Sequence, residues 1–201
     1  FPQEGFDLQD DYLTFHGISL KYLINKYGSP FRLIYLPRIG EQIKKARNLF
    51  NRAIKAHDYP GKYYYCYCTK CCHFHHVVSA ALKHNVNIET SSAFDIDLIR
   101  KLYAEGEIDK SIIIINNGYK TKDYLEKIVA LQKDGFKNVI VVLDNRVELD
   151  KLLKISGDQK IKIGLRMAID EESQSSYYTS RLGIRNNAMM DFCQKSILGN
   201  E

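Results

Sequence analysis

Lys70 stands one residue, Thr69, beyond residues 63–68, an unbroken run of aromatic residues and cysteines that reads as a strand buried on both faces. Sites in α/β proteins are built at the C-terminal edge of the sheet, where such a lysine would stand. It is expected to lose hydration there. A poorly hydrated ammonium gives up its proton readily, which suits Schiff-base chemistry. Polar groups recur at the ends of later strands: Glu89 after the second, Asn116-Asn117-Gly118-Tyr119-Lys120 after the third, Arg166 after the fifth. Each has an ordinary reading alone, as a helix cap, a loop or an ion-pair partner. With parallel strands they converge with Lys70 on one mouth, and opposite charges gathered above a sheet are an active-site pattern.

A second group is Cys66, Cys68, Cys71, Cys72, His73, His75 and His76. Thiolates and imidazoles ligate zinc or copper(I), so a metal-binding module is an alternative function. The spacing matches no common zinc module, and Cys66 and Cys68 share a face of a buried strand while Cys71 onward begins a helix. The expected metal set is therefore none, with the cysteines packing as small hydrophobes. No GxGxxG and no P-loop is present, so a phosphate ligand would need its cradle elsewhere.

The elements that position these groups alternate. Strands are expected at 63–68, 86–89, 112–115, 139–143 and 161–166, about 20 to 30 residues apart. Between them lie helical patterns carrying Val77, Val78 and Ala81; Leu98, Ile99 and Leu102; Leu125, Ile128 and Val129. Ser92 with Asp95, Thr121, and Asn145 with Glu148 mark helix starts, and a last helix is expected near 188–198. Such alternation signals a parallel sheet, either open and doubly wound or part of a (β/α)8 barrel, which takes about 250 residues. Ahead of this lie a short strand at 13–15, a helix at 19–27, a strand at 31–35 and a long amphipathic helix from Pro37.

The chain has 201 residues, 45% hydrophobic and 26% charged, with a net charge of +5. That is an ordinary globular composition. The small, dispersed basic surplus makes no stripe for nucleic acid. No apolar run approaches the roughly 20 residues that cross a membrane. No signal peptide opens the chain, and its first residue is Phe1 rather than Met, so an upstream piece is expected to be missing. Five cysteines, four of them crowded together, fit a reducing cytoplasm better than a disulfide framework.

The segments around Lys70 resemble a known family. Tyr67-Cys68-Thr69-Lys70 is similar to the Tyr-Ala-Val-Lys segment of the fold-type III pyridoxal-phosphate decarboxylases, which act on ornithine, diaminopimelate and arginine. Glu89-Thr90-Ser91-Ser92-Ala93-Phe94-Asp95 resembles their Asp-x-x-Ser-x-x-Glu stretch. Gly164-Leu165-Arg166-Met167-Ala168 and Ser180-Arg181-Leu182-Gly183-Ile184 resemble Leu-Arg-Ile-Ala and Ser-Lys-Phe-Gly-Ile. Asn117-Gly118-Tyr119-Lys120 with Asp123-Tyr124 looks closest to biosynthetic arginine decarboxylases.

The resemblance implies an alanine-racemase-like (β/α)8 barrel, of which residues 37–201 would hold about five of eight βα units. Residues 1–36 would be a strand/helix lead-in associated with a second β-domain. It implies pyridoxal 5'-phosphate as cofactor, bound to Lys70 as a Schiff base, with Glu89 and Arg166 beside it. Asn117 and Lys120 are candidates for lining the mouth, and Arg181 for a dimer-shared site. The implied reaction is decarboxylation of a basic amino acid, most specifically arginine to agmatine in polyamine biosynthesis, by a homodimer. The family's ring-stacking histidine, phosphate site and pyridine-nitrogen acid would lie beyond residue 201, so this piece alone is expected to be inactive. A single-barrel cofactor-carrier protein is the alternative within pyridoxal chemistry. Cys71-Cys72 departs from the small or polar residues of relatives and introduces sensitivity to oxidation.

Overall fold

The computed structural model describes residues 4–168 and 183–198. The chain divides at Tyr35/Leu36 into two compact units.

The first unit is an antiparallel meander, β1 (Phe6–Gln9), β2 (Tyr12–Phe15) and β3 (Ile18–Ser19), followed by helix α1 (Leu20–Tyr27). Its hairpins turn on Asp10-Asp11 and His16-Gly17, all four at positive φ. Such two-residue turns match the twist of the flanking strands. The sequence reading found only β2 and the helix. The turn pairs were the available signal for β1 and β3. Ser19 Oγ accepts the Tyr22 N–H at the helix start. Residues 31–35, expected as a strand, form none: strand propensity is realised only against a partner, and this run has no ladder.

The second unit opens with α2 (Pro37–Ala56), with proline in its first turn. Five parallel strands follow: β4 (Cys66–Cys68), β5 (Asn87–Thr90), β6 (Ile113–Asn116), β7 (Asn138–Leu143) and β8 (Lys162–Leu165). The intervening helices are α3 (His75–Leu82), α4 (Ala93–Ala104), α5 (Lys122–Lys133) and α6 (Arg146–Ser156). The strand order is strictly sequential, β4-β5-β6-β7-β8. A doubly wound sheet reverses order at its switch point, whereas a barrel does not. The architecture is therefore part of a (β/α)8 barrel.

Alternation along the strands sorts the side chains. Ile88, Ile114, Val139, Val141 and Leu143 are buried and form one core with Ile96, Ile99 and Leu102 of α4, Leu125 and Ile128 of α5, and Leu149 and Leu152 of α6. Each such side chain contributes about 1.5–3 kcal/mol through burial. The residues of opposite parity are half-buried, so the strands are not enclosed on both faces. The first strand shows this most, beginning only at Cys66 and half-buried throughout, because it lies at an edge of the five-stranded sheet. The helix after it starts at His75, not Cys71. Asp95 accepts the N–H groups of Ser91 and Ser92, Thr121 caps α5 and Asn145 caps α6, at the places their residue types mark. The parallel pair β9 (Met167–Ala168) and β10 (Ile184–Arg185) leads into α7 (Asn186–Phe192) and a π-helical turn, Cys193–Ile197.

Tyr67 turns from the Lys70 side of its strand toward the helices, and its hydroxyl donates to the Cys72 carbonyl at 2.8 Å. Burial pushes its phenol from an ordinary 10 up to about 12. Between these values the unfolded chain sheds a proton that folded Tyr67 retains, so stability falls as pH rises through this window. Denaturation midpoints recorded from pH 9 to 12 should show the decline, and Tyr67→Phe should flatten it.

Candidate active site at the C-terminal sheet edge

Parity along the strands selects the residues of the mouth. Cys66, Cys68 and Lys70 alternate onto one face, as do Asn87 and Glu89, Ile113, Ile115 and Asn117, Val142 and Asp144, and Gly164 and Arg166. The pairing Cys68↔Glu89 brings the first two strand ends level. Thr69, fully buried, donates both its N–H and its hydroxyl to the Glu89 carbonyl, at 3.0 and 3.1 Å. A turn closed by Cys71 N–H to the Cys68 carbonyl then presents Lys70.

The Glu89 carboxylate is the meeting point. Its Oε1 lies 4.0 Å from Lys70 Nζ, accepts the Asn117 amide at 3.2 Å, and is 3.6 Å from Cys68 Sγ. Burial and the Glu89 charge push the Cys68 thiol up, so it remains a protonated donor toward that carboxylate. Asn117 is fixed in turn by its N–H to the Thr90 carbonyl and by its Oδ1, which accepts the Gly118 N–H. Lys70 itself is 64% exposed. The desolvation expected from sequence is absent, because the turn carries the amine beyond the packed strand.

Lys120 does not line the mouth. Gly118, at φ +74, turns the chain inward, and Lys120 is fully buried against Glu148, Nζ to Oε2 at 3.3 Å. It also donates to the Gly118 carbonyl. Burial pushes its ammonium down, against the attraction of Glu148 and Asp144. Glu148 accepts the backbone N–H groups of Lys120 and Asp144 as well. Sequence reading saw Glu148 only as a helix-start signal and missed Asp144; the parity of Val142 and Asp144 was the signal for the latter. Arg166 stands 3.5 Å from the Asp144 carboxylate and is 39% exposed. Arg181 lies outside the described residues.

The cysteine and histidine cluster does not gather a ligand set. Among the described residues, one trio brings its ligand atoms within 4.8 Å of one another, His75, Glu105 and Glu107, and it contains no cysteine. All five cysteines are free. No helix of the described residues is long and apolar enough to cross a membrane.

The family model for the pyridoxal-binding domain of pyridoxal-dependent decarboxylases matches residues 40–194. The chain belongs to this family. It is 24% identical over 176 residues to the biosynthetic arginine decarboxylase of Citrifermentans bemidjiense, covering 82% of this chain and 27% of that protein. It is 28% identical over 158 residues to the corresponding enzyme of Vibrio cholerae, covering 74% and 24%. The chain thus spans about a quarter of the length of these curated relatives. In fold it is similar to the biosynthetic arginine decarboxylase of Campylobacter jejuni (TM-score 0.67, 19% identity, covering 96% of this chain and 32% of that one). The diaminopimelate decarboxylase of M. jannaschii, in complex with L-lysine, superposes with TM-score 0.76 at 16% identity, covering 95% and 44%.

Family membership assigns pyridoxal phosphate as cofactor. The donor set fits it: a solvent-reachable primary amine stands beside an anchored carboxylate, and a half-exposed guanidinium lies on the same face of the sheet.

Proposed function

We propose that the complete protein decarboxylates a basic amino acid with pyridoxal phosphate, converting arginine to agmatine, and that this chain supplies Lys70, Glu89, Asn117 and Arg166 to the site. The observation that carries this reading is the Lys70 amine 4.0 Å from the Glu89 carboxylate, at the C-terminal ends of the sheet strands within a pyridoxal-binding domain. The bound cofactor supplies an electron sink for the carbon that loses CO2.

The residues divide the remaining work. Lys70 would hold the cofactor through its amine, which is 64% exposed and within reach of a ligand, and the same ammonium could deliver a proton to the reacting carbon. Glu89, held by Asn117 and Cys68, keeps a negative charge beside that nitrogen. Arg166 offers N–H donors to an anionic group of the ligand. Arginine is favoured as substrate by the curated relatives, which are named biosynthetic arginine decarboxylases. The lead-in of residues 1–36 is read as belonging with a second, β-rich domain and the remainder as part of the barrel. Arg181 is read as facing a site shared across a homodimer. Free cysteines suit a cytoplasmic setting.

The complete protein, treated with pyridoxal phosphate and then borohydride, should carry a reduced pyridoxyl group on Lys70 by peptide mass spectrometry. Label on another lysine, or none, would overturn the assignment. Agmatine release from arginine, compared with the products from ornithine, lysine and diaminopimelate, tests the substrate.

A further inference from the structure

Asp144 follows β7 directly and is buried; its side chain is 1% exposed. Among the described residues neither of its carboxylate oxygens accepts a hydrogen bond. A buried carboxylate is stable only with cations or donors close by. Two cations answer. Buried Lys120 is near enough to feel its charge, but its ammonium donates to Gly118 and Glu148. Arg166 places Nη1 3.5 Å from Asp144 Oδ1.

The Arg166 backbone is pinned on both sides. Its N–H donates to the Leu143 carbonyl, one residue before Asp144, and its carbonyl accepts the Ile184 N–H at 2.7 Å. Its side chain is therefore the adjustable part. A guanidinium has a fork of five N–H donors, and a carboxylate engages one edge of it. Among the described residues Asp144 is the one carboxylate paired with Arg166, which leaves the other edge for a second anion.

We propose that Asp144 is a positioning residue: its buried carboxylate orients Arg166 so that the free edge of the guanidinium meets an oxyanion of the ligand held at Lys70. This rests on the reading of Lys70 given above. The oxyanion is either the cofactor phosphate or the substrate carboxylate.

The test uses the complete protein and a double-mutant cycle of Asp144→Asn and Arg166→Met, read by absorbance titration with pyridoxal phosphate, with phosphate-free pyridoxal, and by KM for arginine. Asp144→Asn should weaken the oxyanion-bearing ligand roughly tenfold, the scale of one charge-assisted hydrogen bond. It should add nothing once Arg166 is methionine. Loss with pyridoxal phosphate but not pyridoxal assigns the phosphate; a raised KM alone assigns the substrate carboxylate. Additive losses in the cycle, or unchanged affinity and KM in Asp144→Asn, would overturn the proposal. Should Asp144→Asn fail to fold, Arg166→Lys with Asp144 intact replaces it: lysine has no fork to orient, so undiminished binding overturns the proposal equally. Borohydride labelling of Lys70 in the parent protein separates this failure from failure of the Lys70 assignment.

Discussion

Lys70→Ala in the complete protein should lower decarboxylase turnover on the order of a thousandfold or more, the scale on which loss of a covalent catalyst is read. The fold should not notice. The side chain is 64% exposed, and the turn that carries it is held by Thr69 and by the Cys71-to-Cys68 backbone bond, not by the lysine. Surface truncations of this kind move stability within about 0.5 kcal/mol. Lys70→Arg is the informative companion: it keeps a cation beside Glu89 but removes a nucleophilic amine, and should be as inactive as alanine. CO2 release and thermal melting on the same samples check both expectations. Substantial turnover in either variant would remove Lys70 from the chemistry.

The largest stability effect is expected at Glu148. Its carboxylate is 2% exposed, receives the Lys120 ammonium, and accepts the backbone N–H groups of Lys120 and Asp144. Glu148→Ala strands a buried ammonium and two backbone donors together. Breaking a buried pair in this way costs about 3–5 kcal/mol. Lys120→Met should cost less, because Glu148 keeps its two backbone donors. Methionine at both positions should recover only the share due to the stranded ammonium, since the two backbone donors stay without an acceptor. Denaturant midpoints of the three variants give the order, and equal losses for Glu148→Ala and Lys120→Met would contradict it. Because Glu148 also anchors the Asp144 backbone, its loss should disturb the Arg166 side of the mouth more than the Lys70 side.

The βα alternation was legible because each strand pairs with its neighbours in sequence and the starts of α4, α5 and α6 carry capping residues. Lys70, Glu89 and Asn117 were legible because they sit at strand ends on one parity, and the structure brings them together. Lys120 was misread: whether a lysine after a glycine turn faces water or dives beneath the chain depends on an acid 28 residues away. Asp144 was missed although its parity with Val142 places it on the mouth face, because its weight comes from its burial, which sequence does not display. Residues 31–35 have strand composition, but composition cannot supply a partner. The exposure of Lys70 follows from the tightness of the four-residue turn Cys68–Cys71, which no periodicity encodes.

The sequential order of the five strands also bears on how the molecule forms. Each strand finds its neighbour one βα unit away, so loop closure is never long and folding can proceed stepwise in the direction of synthesis. At every step an edge strand lies open to another growing chain. The two edges among the described residues resist this differently. Cys66–Cys68 is only three residues long, while Lys162–Leu165 begins with an exposed lysine. Shortness and charge are both protections against edge-to-edge aggregation. In the folded sheet the Lys162 ammonium donates to Asn138 on the neighbouring strand at 2.9 Å; while the edge is still open during synthesis, the same charge keeps nascent chains apart.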